Sequence, residues 1–302
     1  MDNLKDLSID LMKNQHFDSL AVGVIDFEKF SFESFEIHDK KRFVSKSDEF
    51  FFDLASLTKP LTLSTVYLKS PELFDEKMEL LLSHRGGLPS GGRITTHQWR
   101  KYLEEFEIIK SETVYSDYSA LRLMVELEKK SGKSIQELAS YYFDKKMKWW
   151  TELEDEFNFP SYGDRTGRKI SGEVHDDNAY YLNEPVSHAG LFATVDGLCQ
   201  SLLNLEKEVA LLKQMDNFWK DHDGSRFLKG WDTVSDFENT LAGKGCGKRT
   251  FGHLGFTGTS IWIDLDRKLG SVILSNATQN YWYDRDGLRE LRQRLGHEIW
   301  GC

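Results

Sequence analysis

Interpretation of this chain depends on one stretch, Phe52-Asp53-Leu54-Ala55-Ser56-Leu57-Thr58-Lys59. If a helix begins at Ser56, the side chains of Ser56 and Lys59 lie on one face and can touch. A serine hydroxyl is a weak nucleophile until a base takes its proton, and an amine can do so only when its pKa is lowered. A helix start also supplies a free backbone N–H at Ser56, half of an oxyanion hole. The alternative is a capping serine beside a surface lysine, since this pattern often arises by chance.

Two further stretches carry groups that could serve the same chemistry. Tyr115-Ser116-Asp117 places a phenol just before a predicted helix, and a phenol can relay a proton to a leaving group. The run Phe251-Gly252-His253-Leu254-Gly255-Phe256-Thr257-Gly258-Thr259 is rich in glycine, which lets the backbone approach a ligand closely. Taken singly, the first also fits a capping pair with a packed tyrosine, and the second a hairpin with a solvated histidine.

Composition excludes several classes of protein. The 302 residues suffice for one large domain or two ordinary ones. Acidic residues outnumber basic ones by 49 to 39, giving a formal charge of −10, which argues against a nucleic-acid partner. No apolar run approaches the ~20 residues that a membrane helix needs. The three cysteines lack CxxC spacing, so neither a disulfide framework nor a zinc knuckle is indicated: Cys199, Cys246 and Cys302.

The first seven residues contain neither the basic nor the apolar segment of a secretory signal. We therefore expect a cytoplasmic location, although a chain whose leader had been removed would look the same.

Hydrophobic periodicity predicts helices at the two ends and in the middle of the chain, and strands between them. The sequence predicts a helix over 2–15, a hairpin from 19–25 and 30–37, helices over 57–69, 74–83, 96–107, 118–131 and 134–148, loops over 151–190, a helix from Thr194, strands over 258–264 and 270–276, and a helix over 284–299. The simplest packing pairs the first and last strands in one antiparallel sheet, covers it with the terminal helices and inserts the central helices as a second lobe. A ligand site is expected at the seam.

In this order the three stretches resemble the motifs of the serine β-lactamase and penicillin-binding-protein superfamily. The likeness is to its class C-like branch of esterases and low-molecular-weight D,D-peptidases. The family motifs SxxK, Tyr-x-Asn and Lys-Thr-Gly, the last often His-x-Gly in esterase-like members, match Ser56–Lys59, Tyr115–Asp117 and His253–Gly255. The flanks Leu81–Pro89 and Ser187–Thr194 match too, and the resemblance extends over about 21–276.

The resemblance implies a β-lactamase-like α+β fold, with an antiparallel sheet built from the N- and C-terminal strands and flanked by the terminal helices. The expected sheet lobe comprises residues 1–54 and 195–302. The expected helical lobe, with its long loops, comprises residues 55–194, and the active site would lie at the seam.

The resemblance also implies a role for each matched residue. Ser56 would be the acylated nucleophile, Lys59 its partner and base, and Tyr115 the proton shuttle to the leaving group. The N–H groups of Ser56 and Phe256 would form the oxyanion hole. Three further residues would contact substrate: His253, Gly255 and Asp117.

Two departures from the family pattern affect these roles. Asp117 replaces an asparagine, and a carboxylate near Lys59 would hold the amine charged and make it a poorer base. His253 replaces a permanent cation with a group whose unperturbed pKa is about 6.5. Recognition of a substrate carboxylate should therefore be weak near neutral pH and strengthen as His253 becomes protonated.

A loop cluster invites a metal hypothesis. Glu173–Asn178 and His188 supply imidazole and carboxylate groups that could bind zinc or calcium, but no HExxH or EF-hand spacing is present. The resemblance instead implies a loop held by internal hydrogen bonds, so no metal or cofactor is expected. Trp149-Trp150 is interpreted as core, or as a binder of apolar acyl groups if it is exposed near the cleft.

The sequence thus predicts a serine hydrolase that works through an acyl-enzyme, with esterase-like turnover of an ester or amide. The alternatives are a D,D-carboxypeptidase or β-lactamase acting on cell-wall peptides or β-lactams, and, from another class, a catalytically silent binding protein. The expected partner is a small-molecule ester, amide or peptide substrate, with no nucleic acid and no membrane. The sequence leaves the oligomeric state open.

Overall fold

Antiparallel strands dominate the computed structural model, which describes residues 1–280 and 285–301. The strands are β1 Leu20–Asp26, β2 Ser31–His38, β3 Arg42–Phe43, β4 Phe52–Asp53, β5 Met147–Trp149, β6 Asp164–Arg165, β7 Arg168–Lys169, β8 Leu191–Ala193, β9 Phe227–Leu228, β10 Trp231–Thr233, β11 Thr250–Leu254, β12 Ser260–Asp264 and β13 Leu269–Ser275. Eight of them form one sheet in the order β3-β2-β1-β13-β12-β11-β10-β9. A second sheet has the order β4-β8-β5, and β6 pairs with β7.

The large sheet joins strands from distant parts of the sequence. β1 pairs with β13 over its whole length, so that Leu20 lies opposite Ser275 and Asp26 opposite Leu269. β1 also pairs with β2 in the hairpin that the alternating pattern predicts. This arrangement confirms the predicted α+β fold, with an antiparallel sheet built from N- and C-terminal strands.

Ten α-helices lie among the described residues. They are α1 Asp2–Met12, α2 Thr65–Lys69, α3 Glu76–Leu82, α4 Trp99–Glu104, α5 Asp117–Ser131, α6 Ile135–Ala139, α7 Asp177–Leu182, α8 Val195–Val209, α9 Leu211–Lys220 and α10 Asp286–Trp300. The terminal helices α1 and α10 share one hydrophobic cluster with the inner face of the sheet, through residues such as Leu11, Val22 and Leu295. α8 covers the opposite face, where Gly23 allows close approach of Cys199.

Two predicted helices end differently from expectation. The segment 57–69 is not one helix: a 3₁₀ turn, Ala55–Leu57, is followed by a π-helical turn, Pro60–Ser64, and only then by α2. Pro60 has no backbone N–H to donate and therefore interrupts a regular helix. The helix predicted over 134–148 stops with α6 at Ala139 because β5 pairs with β8, a contact made far along the chain.

Residues 151–190 contain more structure than the predicted loops, since β6, β7 and α7 lie within them. Helix α9 and strands β9 and β10 also formed no part of the prediction. Of the three cysteines, Cys199 and Cys246 are free thiols, and Cys302 lies outside the described residues, as does Asp284 at the start of the predicted last helix. None of the described helices combines the length and the hydropathy of a membrane-spanning segment.

Candidate active site

Ser56 lies in a turn that its neighbours force into an unusual conformation. β4 leads into this turn, and Ala55 adopts a φ of +47°, which is rare for a residue with a Cβ. The buried carboxylate of Asp53 accepts the N–H of Ala55 at 2.8 Å. Its other oxygen accepts the N–H of His175 at 2.7 Å. Asp53 therefore holds both the strained turn and the cleft loop that carries His175.

Lys59 lies directly behind Ser56, and its side chain is only 3% exposed. Its ammonium donates to Ser56 Oγ at 2.9 Å and to the carbonyl of His188 at 3.0 Å. It also forms an ion pair with Asp117, with 2.7 Å between Nζ and Oδ1. An ammonium has three N–H donors, so all three have a partner.

The charge state of Lys59 follows from these contacts. Burial lowers the pKa of Lys59, but the charge of Asp117 and the adjacent Tyr115 phenol outweigh it, so the pKa is held above its ordinary value. Lys59 is therefore an ammonium at neutral pH. The structure brings Asp117 to the position from which the sequence predicted this effect.

Tyr115 lies between the first and third motifs. The Nζ of Lys59 is 4.9 Å from the centre of the Tyr115 ring, and the ring of His253 lies 5.8 Å away on another side. Ser116 caps α5 by accepting the N–H of Ser119 at 2.9 Å. Ser116 therefore caps the helix, as one interpretation of the motif predicted, and Tyr115 lies close to Lys59, as the other predicted.

His84 was not predicted as a site residue. Its Nδ1 accepts the N–H of Ser116 at 3.2 Å, and its ring lies 4.9 Å from that of Tyr115. Burial lowers the pKa of His84 to about 3, so it is a neutral support for Tyr115. His84 lies in the stretch Leu81–Pro89, which matches the family, but the match did not indicate a role for His84.

The third motif packs its turn against Ser56. Gly255 N donates to Thr259 O at 2.7 Å, and a Cβ at Gly255 would lie only 2.6 Å from the carbonyl oxygen of Leu54. Only glycine permits this approach, which leaves Phe256 lining the same cleft as Ser56.

The structure contradicts the expected titration of His253. The imidazole is 3% exposed, and burial, together with the charge of Lys59, lowers its pKa to about 3. Nδ1 lies 2.8 Å from the carbonyl of Leu254, so Nδ1 carries the proton and Nε2 is an acceptor. Within the described part of the chain Nε2 has no partner. His253 therefore cannot serve as a cation for a substrate carboxylate near neutral pH.

A cleft of about 1380 Å³ opens beside Ser56. Its floor loop is held by Arg165, which donates to Glu173 and Asp177 at 3.1 and 3.0 Å and to the carbonyls of Val174 and His175, both at 2.8 Å. These are the internal hydrogen bonds that the resemblance implied. Within residues 1–280 and 285–301, no three His, Cys, Asp or Glu side chains are arranged to hold a metal ion.

The tryptophan pair divides between core and cleft. Trp149 is fully buried, as the core interpretation predicted, whereas Trp150 is partly exposed and lines the cleft. Trp150, and not Trp149, is thus available for contact with a ligand in the cleft.

Comparison with known proteins identifies the family. The sequence profile described as β-lactamase matches residues 77–295, more than two thirds of the chain. The chain belongs to the β-lactamase family of hydrolases. A curated relative, the N-acetylmuramyl-L-alanine amidase of Bacillus subtilis strain 168, is 27% identical over 244 residues, covering 65% of this chain and 55% of that protein. The chain therefore spans about half the length of this curated relative.

Solved structures of β-lactamase-like proteins share the fold. A β-lactamase/D-alanine carboxypeptidase from Pseudomonas syringae is 12% identical with a TM-score of 0.68, covering 99% of this chain and 98% of that one. A class C β-lactamase from Rhodobacter sphaeroides is 14% identical with a TM-score of 0.66, covering 99% of each chain. A hydrolase with promiscuous acyltransferase activity is 15% identical with a TM-score of 0.66, covering 99% and 98%. These neighbours confirm the expected fold, and the sequence profile confirms the family expected from the motifs.

Proposed function

We propose that this β-lactamase-family protein hydrolyses an amide or ester through an acyl intermediate on Ser56. The observation that carries the proposal is the 2.9 Å hydrogen bond between Lys59 Nζ and Ser56 Oγ in a partly exposed turn beside a large cleft. Ser56 is accessible, whereas Lys59 is buried, which is the arrangement that a nucleophile and its activating group require. The reaction centre would lie between the proposed sheet lobe, residues 1–54 and 195–302, and the proposed helical lobe, residues 55–194.

Activation of Ser56 needs an acceptor for its proton, and an ammonium cannot accept one. We propose that Lys59 takes the proton of Ser56 Oγ while giving one to Asp117, whose carboxylate oxygen is 2.7 Å away. The charge of Lys59 is then unchanged, and Asp117 becomes neutral. The family's asparagine could not end such a relay, so Asp117 has a function here instead of being a handicap.

The later steps add two backbone N–H groups and Tyr115 to the same relay. The N–H groups of Ser56 and Phe256 would stabilise the tetrahedral oxyanion, a type of contact that typically lowers a barrier by about 3 kcal/mol. As the bond breaks, Tyr115 gives its proton to the leaving group and recovers one from Lys59, which recovers its own from Asp117. Water then releases the acyl group from Ser56 through the same relay.

For the substrate, we propose an amide whose acyl part carries a sugar or another bulky group. The cleft of about 1380 Å³ has room for such a group, and the curated relative is an N-acetylmuramyl-L-alanine amidase. Simple esters are the second substrates to test. D,D-peptidase activity has less support, because neutral His253 stands where the family's lysine is expected.

A fluorophosphonate probe tests the nucleophile. Wild type should be labelled once, and Ser56→Ala should not be labelled, while its fold is preserved. Ser47→Ala, which alters an exposed serine far from the cleft, should be labelled like wild type. Persistent stoichiometric labelling of Ser56→Ala would refute the mechanism, and absence of labelling in wild type would favour the silent binding protein.

Intact-mass analysis with N-acetylmuramyl-L-alanine, esters, β-lactams and D-alanyl peptides then identifies the acyl group. We expect product formation from the amide, and an acyl adduct on Ser56 that accumulates when deacylation is slow. Turnover confined to D-alanyl peptides would replace the amidase proposal with the peptidase alternative.

A further inference from the structure

We propose that Asp176 and His188 form a positioning pair that holds a backbone acceptor of Lys59 in place. The proposal rests on the proposed function, because the pair would orient the group that activates Ser56. His188 Nε2 lies 2.9 Å from Asp176 Oδ1, and the backbone carbonyl of the same His188 accepts Lys59 Nζ at 3.0 Å. One residue therefore joins the cleft loop to the buried ammonium.

The surroundings of the His188 imidazole exclude a direct acid–base role. The side chain is 1% exposed, and its buried Nδ1 has no hydrogen-bond partner within residues 1–280 and 285–301. Because Nε2 faces a carboxylate, Nε2 of the neutral ring carries the proton and Nδ1 is an acceptor. A substrate proton cannot reach an acceptor that is enclosed in this way. The imidazole therefore acts on the rest of the site through the bond that it donates to Asp176.

Asp176 is a fixed and ionised acceptor. Its Oδ1 also accepts the N–H of Ala179 at 2.8 Å, which caps α7. Burial raises the pKa of Asp176, but the contact with His188 and the N–H of Ala179 outweigh burial, so the pKa lies well below its ordinary value. A charged acceptor makes a stronger hydrogen bond than a neutral one. The imidazole is therefore anchored to the start of a helix.

The carbonyl of His188 is the one acceptor of Lys59 that lies outside the three motifs, among the described residues. The other two acceptors of the ammonium are Ser56 Oγ and Asp117 Oδ1. The His188 carbonyl belongs to a short turn over 186–189 that a β-bridge closes. Hydrogen bonds weaken steeply when donor and acceptor are misaligned. A displaced carbonyl would therefore rotate the Lys59 ammonium and weaken its bond to Ser56.

The residue before Asp176 is attached to the other end of the SxxK motif. The N–H of His175 donates to Asp53 at 2.7 Å, and Asp53 also accepts the N–H of Ala55 in the strained turn. Two consecutive residues of the cleft loop are thus bonded to the segment before the nucleophile and, through the positioning pair, to the lysine after it. This double attachment indicates that the loop sets the geometry of the motif.

Labelling rates with two fluorophosphonates test the positioning role. One probe carries only short alkyl groups, and the other carries a bulky group that extends along the cleft. We expect Asp176→Ala and His188→Leu to lower the second-order labelling rate constant by between about 10-fold and 100-fold. The loss should be equal for the two probes, because the reactivity of Ser56 changes and not its contact with the probe. The fraction of molecules labelled at completion should match wild type.

Conservative variants and matched controls make the test specific. Asp176→Asn keeps an acceptor oxygen, and His188→Gln keeps an N–H donor, so both should react within about fivefold of wild type. Asp164→Ala removes an exposed carboxylate from the same cleft and should react like wild type. His222→Leu removes a histidine that packs on Trp219 and should also react like wild type.

The labelling results separate the positioning role from two others. A loss confined to the bulky probe would mean that the pair contacts the substrate. A smaller labelled fraction at an unchanged rate would mean that the pair only maintains the fold. Either result, or unchanged labelling of Asp176→Ala and His188→Leu, overturns the proposal.

Urea unfolding decides the case in which wild type is not labelled, a result that refutes the proposed function. The cycle combines His188→Leu with Lys59→Met in an Asp176→Asn background, which keeps the acceptor and removes its charge. His188→Leu should raise the unfolding equilibrium constant at least about twofold less when Lys59 is absent, because the carbonyl then has no ammonium to hold. Additive effects would overturn the positioning role.

Discussion

Asp53→Asn should change the pH dependence of stability more than any exposed substitution. Both oxygens of Asp53 accept a backbone N–H, from Ala55 and His175. The side chain is fully buried. Burial raises the pKa of Asp53 to about 7, in spite of those two hydrogen bonds. The substitution replaces a titrating carboxyl with an amide of nearly the same shape.

The magnitude follows from proton linkage. The folded-state pKa of about 7 lies above the value of about 3.9 in an unfolded chain. Between these pH values the folded protein holds a proton on Asp53 that the unfolded chain has released, so stability falls by about 1.4 kcal/mol per pH unit. The stabilisation is fully present below pH 4, and about 4 kcal/mol has been lost by pH 7. Asp53→Asn lacks this loss, although one backbone N–H loses its acceptor at a cost of about 1–3 kcal/mol.

Urea unfolding at several pH values between 4 and 8 measures the effect. The free energy of unfolding of Asp53→Asn, minus that of wild type, should rise by about 4 kcal/mol across this range. Asp155→Asn is the control, since Asp155 is exposed, and its difference curve should stay nearly flat. Parallel curves for wild type and Asp53→Asn would refute the reasoning, because they would mean that the two N–H donors keep Asp53 ionised throughout.

Three further predictions concern the reaction centre. Asp117→Asn removes the charge that holds the pKa of Lys59 high, so kcat/KM should fall and its pH dependence should change as the pKa of Lys59 falls; an unchanged pH profile would remove Asp117 from the relay. Because His253 stays neutral, the ratio of kcat/KM for anionic and neutral substrates should be flat from pH 5 to 8, and a step near pH 6.5 that His253→Gln abolishes would contradict its burial. Gly255→Ala places a Cβ 2.6 Å from Leu54 O. The displaced turn should slow fluorophosphonate labelling of Ser56 about 100-fold, while the circular dichroism spectrum stays unchanged. Labelling at the wild-type rate would show that the turn tolerates the methyl group.

Local patterns predicted the elements whose burial has a regular period. β1 and β2 alternate or run apolar over seven and eight residues, and α8 presents its leucines on one side, so their existence followed from the sequence. The end of α6 did not follow, because it depends on β5 finding β8 from a distant segment. The interruption of the helix predicted over 57–69 did not follow from the spacing of its apolar residues either. Pro60 was the local signal for it, because proline has no backbone N–H to donate.

The sequence predicted which residues form the site better than it predicted how deeply each of them is buried. The motifs named Ser56, Lys59 and Tyr115, and the structure brings them together. The burial of His253 was not readable, since a glycine-rich run fits an exposed hairpin equally well. The metal hypothesis named Asp176 and His188 together, but only the packing of the cleft loop shows that His188 is buried and bonded to Asp176.

The pairing of β1 with β13 has a consequence for biosynthesis. Residues made early on the ribosome must wait for partners made near the end, while the intervening helices can already collapse around their own apolar faces. Contacts between such distant segments slow folding, and an unpaired β1 edge is a site for mispairing between nascent chains. A chain cut before Leu269 loses the central partner of its first strand, so truncations in this region should aggregate instead of yielding a smaller folded protein.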